Sequence, residues 1–121
     1  MVALGAGEAL TAEPTGRPIQ LHCDLEVDPA REQEMVRAFH NTFEPVIRKQ
    51  PGFVAVKLLK LRGALAGSAP ANAPYRLVIS FETEQQRLGW VATGDHQRVW
   101  PSIEKTLCGA KYNAILYDEA V

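Results

Sequence analysis

Five residues of this chain carry side chains from which a site could be built: Arg76, Trp90, His96, Trp100 and Tyr112. A histidine titrates near neutrality, so His96 could take a proton from a phenol or an enol and hold it. Trp90 and Trp100 offer flat faces on which an aromatic substrate could stack. Tyr112, like Tyr75 and Tyr117, supplies a phenolic hydroxyl able to orient a carbonyl or a bound oxygen species. Arg76 could hold an anionic substrate or cross a seam between two subunits.

Each of these also has an ordinary reading. His96 fits an exposed histidine at a helix start, next to Asp95, and both tryptophans sit at spacings that suit core packing. A tyrosine at a strand edge commonly packs there, and Arg76 fits a solvated strand position. His22 and Asp24 share the polar face of one strand and suit a structural polar seam. His40 is expected to be exposed, and Cys23 to be a small buried hydrophobe. Cys23 and Cys108 are the only cysteines, too few to staple a small secreted domain, and an intracellular, cytoplasmic location is the default. No C-x-x-C pair occurs and the three histidines are scattered, so no metal site is expected.

The bulk properties narrow the possible partners. The chain has 121 residues, enough for one core and not two. Thirteen basic residues against fourteen acidic ones leave a formal net charge of -1, without the basic excess of a nucleic-acid or anionic-lipid binder. No apolar run approaches the roughly 20 residues of a membrane helix. Residues 1–18 are rich in Ala, Gly and Pro, with no early Lys or Arg and no continuous apolar stretch. They read as a flexible or surface-draped arm rather than a secretory signal.

The elements that must position the candidate residues follow from periodicity. Ile19, Leu21, Cys23, Leu25 and Val27 alternate with polar neighbours, the pattern of a strand with one dry face. Asp28-Pro29 supplies an N-cap and a first-turn proline. Met35, Val36, Phe39, Phe43, Val46 and Ile47 then mark the core stripe of a helix, which Pro45 should kink near 41–43. Gln50-Pro51-Gly52 ends it. A second strand is expected over 53–61, with Val54, Val56 and Leu58 opposing Phe53, Ala55 and Leu59. A Gly/Ala/Ser/Pro/Asn loop fills 63–74, and a third strand covers 75–81. Thr83 to Gln86 forms a capping box for a second helix, interrupted at Gly94-Asp95. It resumes from His96 to Leu107, with Pro101 marking a fresh start, and a fourth strand spans 110–117.

The order βαββαβ predicts an α+β, ferredoxin-like fold, with both helices on one face of a four-stranded antiparallel sheet. The sheet is apolar on both faces, and the helices cover only one. A second copy of the chain is the simplest cover for the other.

This order, the Pro51-Gly52-Phe53 turn, and Phe81-Glu82-Thr83-Glu84 leading to Trp90 and His96 resemble the antibiotic biosynthesis monooxygenase (ABM) domains of the dimeric α+β barrel superfamily. The resemblance covers roughly residues 19–119, and the loop 63–74 falls within it. It implies a homodimer in which two sheets pair into a barrel, and a small-molecule pocket in each subunit between sheet and helices. It also implies oxidation of an electron-rich aromatic or quinol-like substrate without a cofactor. His96 would be the catalytic base or hydrogen-bonding group, Trp90 and Trp100 aromatic walls, Tyr112 an orienting hydroxyl and Arg76 a substrate contact. Haem-degrading relatives use an Asn on strand one, a Trp in helix two and a His ten residues later. Trp90 matches the second, but Cys23 falls near the Asn position and Trp100 where the axial His should stand, which argues against haem degradation. The alternatives are a non-catalytic binding or dimerisation module and a small-metabolite isomerase.

Overall fold

The fold is described over residues 16–121 of a computed structural model. Residues 1–15, most of the expected arm, lie outside the described residues. Four antiparallel strands, β1 (Ile19–Val27), β2 (Phe53–Lys60), β3 (Tyr75–Phe81) and β4 (Leu107–Asp118), form one sheet in the order β2-β3-β1-β4. This is the ferredoxin-like α+β arrangement expected from the element order.

The first helical connection is built in pieces. Asp28 caps a short 3-10 turn (Pro29–Arg31), its side chain accepting from the Ala30 N–H, and α1 (Glu32–Ala38) follows. Phe39–Phe43 is a π-helical turn, and α2 (Glu44–Ile47) completes the segment. A π-helical turn stands where a kink was expected: Pro45 has no N–H to give, and the Glu44 N–H reaches back five residues to the Phe39 carbonyl. The wide turn also sets which residues are buried. Met35, Phe39, Phe43 and Ile47 are the buried ones, each four residues apart. On a regular helix each such step overshoots a full turn by about 40°. The underwound turn cancels part of that drift and keeps the stripe on the sheet. Val36, expected in the stripe, is turned outward and is 39% exposed.

Gly52 turns the chain into β2 with φ +79°, a left-handed conformation that favours glycine, and the end of the Gln86 side chain rests where a Cβ would stand. Between Phe53 and Ala55 the pairing with β3 slips by one residue. That bulge corrects the expected facing of β2: Phe53 shares the helix side with Val56 and Leu58, opposite Phe81, Ile79 and Leu77, while Ala55, Lys57 and Leu59 point away.

The second helical connection is α3 (Glu84–Val91) and α4 (Gly94–Glu104). Thr83 caps α3 by accepting from the Gln86 N–H, as the capping box predicts. Thr93 caps α4 by accepting from the His96 N–H, so this helix begins at Gly94 and not at His96. Pro101, expected to open a new helix, lies inside α4. The carbonyl it leaves unbonded belongs to exposed Gln97, where water can satisfy it. β4 starts at Leu107, three residues before the expected boundary. Cys108 to Lys111 form an outsized bulge, with Gly109 and Ala110 at φ +58° and +56°.

The core lies between the helices and one sheet face, where Ile19, Cys23, Leu25, Leu77, Ile79 and Phe81 meet Met35, Phe43, Ile47, Trp90, Val99 and Ile103. The other sheet face carries Gln20, His22, Asp24, Arg76, Val78, Ile115 and Tyr117. No helix among the described residues is long and apolar enough to cross a membrane.

Candidate active site

A cavity of about 390 Å³ opens between the sheet and the second helical connection. β1 contributes Leu21 and Cys23 to its lining, and β4 contributes Tyr112, Ala114 and Leu116. α3 supplies Arg87, Trp90 and Val91, and α4 supplies His96 and Trp100. Its size and mostly apolar lining suit a small organic ligand. Tyr112 and Leu116 are half-exposed along edge strand β4.

The site is held from beneath by an aromatic run. Phe43, 1% exposed, lies edge-on to Trp90 at 5.9 Å and to Trp100 at 6.5 Å between ring centroids. Trp90 in turn meets the His96 ring at 5.0 Å, and Trp100 meets Tyr112 at 5.2 Å, both edge-on. The Thr93 cap fixes His96. The Thr93 hydroxyl donates to the Trp90 carbonyl at 2.7 Å and accepts from the His96 N–H at 3.0 Å, which joins the end of α3 to the start of α4.

His96 Nδ1 is buried and has no hydrogen-bond partner among the described residues. Burial, and after it the positive charge of Arg87, hold the His96 pKa below its ordinary 6.5. The imidazole is therefore neutral at pH 7 and able to accept a proton. Cys23, also on the cavity, has its thiol pushed up to about 11, chiefly by burial. It is protonated at neutral pH and is not a nucleophile.

Four of the five residues singled out in the sequence, Trp90, His96, Trp100 and Tyr112, thus line one cavity. Arg76 does not join them. It stands on the opposite sheet face, paired with Asp24 at 2.7 Å, and lines a separate cleft under the loop 63–74. The reason is strand parity: Arg76 alternates with Tyr75 and Leu77, whose side chains point to the helices. The other tyrosines are elsewhere too. Tyr75 donates to Glu32 at 2.6 Å, and Tyr117 lies edge-on to His22 on the open face. His22 Nε2 donates there to the Gln20 side-chain oxygen at 2.9 Å, and His40 is exposed beside Glu44.

Arg87 is the cavity residue the sequence reading passed over. Its guanidinium is held by both oxygens of Glu84, through Nε and Nη2 at 2.6 Å each. A signal was present: Glu84, Arg87 and Trp90 are three apart and share one helix face.

No protein-family model matches the sequence. No curated protein matches it either. Solved structures do share the architecture. One named as a putative antibiotic biosynthesis monooxygenase from Bordetella bronchiseptica is 18% identical, with a TM-score of 0.69 over 87% of this chain and 99% of that one. SnoaB, named as a cofactor-independent oxygenase from Streptomyces nogalater, is 14% identical, with a TM-score of 0.68 over 87% and 95%. A dimeric ferredoxin-like protein of unknown function from Jannaschia sp. is 14% identical, with a TM-score of 0.66 over 86% and 99%. At these identities the likeness is one of fold. The chain is a ferredoxin-like α+β domain with the architecture of proteins named putative antibiotic biosynthesis monooxygenases.

Proposed function

We propose that the chain is one half of a homodimeric α+β barrel that oxidises a small electron-rich aromatic or quinol-like substrate with dioxygen, without a bound cofactor. The observation that carries the reading is His96, neutral and with an unpartnered buried nitrogen, on the same cavity as two indole rings and a phenol. The names of two solved proteins with this fold support the reaction class.

In this reading His96 removes the acidic proton of a bound substrate carbon or hydroxyl. The resulting anion is electron-rich enough to pass an electron to dioxygen, and the pair then joins. For a CH2 substrate, carbon takes the oxygen as a hydroperoxide, which loses water to leave C=O, so CH2 + O2 gives C=O + H2O. The proton held by His96 returns to the peroxide. Trp90 and Trp100 wall the ring, Tyr112 orients an oxygen atom, and the apolar lining excludes water. Oxygen uptake with a panel of anthrones and hydroquinones tests this, and no uptake by the wild type with any of them overturns it.

The dimer rests on the sheet face left bare by the helices. Val78, Ile115 and Tyr117 lie there beside the Asp24–Arg76 pair and His22, whose Nε2 is bonded to Gln20 while its buried Nδ1 has no partner among the described residues. Where a second sheet covers β1 and β3 on that face, the Asp24 and Arg76 charges go under cover as a pair. Light scattering at micromolar protein is expected to give twice the chain mass. Ile115→Lys, which places a charge opposite His22 in the seam, should shift the protein to monomer. A wild-type monomer would contradict the proposal.

A further inference from the structure

We infer that the cavity selects a flat aromatic carboxylate, and that Arg87 is the residue that reads its charge. This rests on taking the same cavity as the substrate site, and it adds the substrate's charge and the group that recognises it. Arg87 lines the cavity, and its side chain is only 16% exposed. Glu84 occupies the Nε and Nη2 edge of the guanidinium, and Nη1 has no hydrogen bond among the described residues. A second donor edge is therefore left, made of Nη1 and the remaining Nη2 proton. An arginine fork matches the two oxygens of a carboxylate, where a lysine would act as a point charge.

The rest of the lining agrees with an anion. No Asp or Glu lines the cavity, so Arg87 is the charged group on its wall, with Glu84 balancing it from outside the lining. Tyr112 adds a hydroxyl donor, and the tryptophans provide the flat surfaces a ring needs. Glu84 is 38% exposed and lies toward solvent, so it steadies the guanidinium without filling the pocket. A carboxylate entering an apolar cavity without a cation would meet a large desolvation cost. With Arg87 in place the neutral analogue is the disfavoured ligand, because it leaves the second edge of the fork unmatched.

The test is isothermal titration calorimetry of the full chain with 2-naphthoate and with its neutral isostere 2-naphthamide. The wild type is expected to bind naphthoate at least about tenfold more tightly, the range of a charge-assisted hydrogen bond. Arg87→Met should remove that preference by weakening naphthoate alone, and unchanged naphthamide binding reports that the cavity is intact. If Arg87→Met fails to fold, Arg87→Gln keeps a hydrogen bond to Glu84, lacks the charge, and should give the same result. The inference is overturned if the wild type binds the two ligands equally, if the variant weakens both alike, or if neither ligand binds. Because binding is read without turnover, absence of oxygen uptake would sink the oxygenase reading and leave this one standing. Oxygen uptake without anion preference would do the reverse.

Discussion

Replacing His96 with alanine is expected to lower oxygen uptake by about 10²–10⁴-fold, the usual contribution of a positioned general base. The loss should fall on kcat more than on KM, because the indole walls and Arg87, which on this proposal hold the substrate, remain. His96→Gln keeps much of the side-chain volume and cannot accept the proton, so it should resemble the alanine variant. An unchanged rate in either variant would remove His96 from the mechanism. The pH profile gives an independent reading. The His96 pKa lies below 6.5, so the base is neutral through the neutral range, and the rate should fall as pH drops through that lowered value. Stability should follow the same direction. The unfolded chain takes up a proton near pH 6.5, before the folded chain does, so folding free energy is lost as pH falls below that point. His22 is shifted the same way, first by its burial, and part of the acid-side loss should persist in the His96 variants.

Phe43→Ala should be the most damaging core substitution for the site, at a cost of about 3–5 kcal/mol. Phe43 is fully enclosed, and its ring meets Phe39, Trp90 and Trp100. Removing it opens a void directly beneath the two indoles, so they lose the surface that fixes their orientation. For a domain of this size each kcal/mol lowers Tm by about 4–8 °C, and total stability is only about 5–15 kcal/mol. Urea denaturation measures the loss, and a cost below about 1 kcal/mol would contradict the packing described. Val36→Ala is the internal comparison. On an even apolar stripe Val36 would matter nearly as much as its neighbours, but the π-helical turn leaves it exposed. Its loss should stay within about 0.5 kcal/mol.

Much of the fold could be read from period alone. The odd residues of β1 and of β3 face the helices as alternation predicts, because a strand without bulges keeps its parity along its length. The Asp28 and Thr83 caps follow from hydroxyl or carboxylate groups placed before apolar periodic runs. Where the reading failed, one residue changed the phase. The slip between Phe53 and Ala55 moved Phe53 to the other face, and the bulge over Cys108–Lys111 hid the true start of β4. No residue type marks a bulge reliably, since the partner strand and not the local sequence decides it.

The amino-acid sequence by itself determined the order βαββαβ, the antiparallel sheet, and the proximity of Trp90, His96 and Trp100, which lie within a few helical turns of one another. It placed Tyr112 among them only through the resemblance, and it grouped Arg76 with them where strand parity sends it to the opposite face. Only the tertiary structure decided that β4 brings Tyr112 against Trp100, that Phe43 braces both indoles, and that Arg87 is the charge inside the cavity. The physical reason is range. Period and capping act over three or four residues, whereas this cavity is made by surfaces from six elements that meet only when the helices close on the sheet.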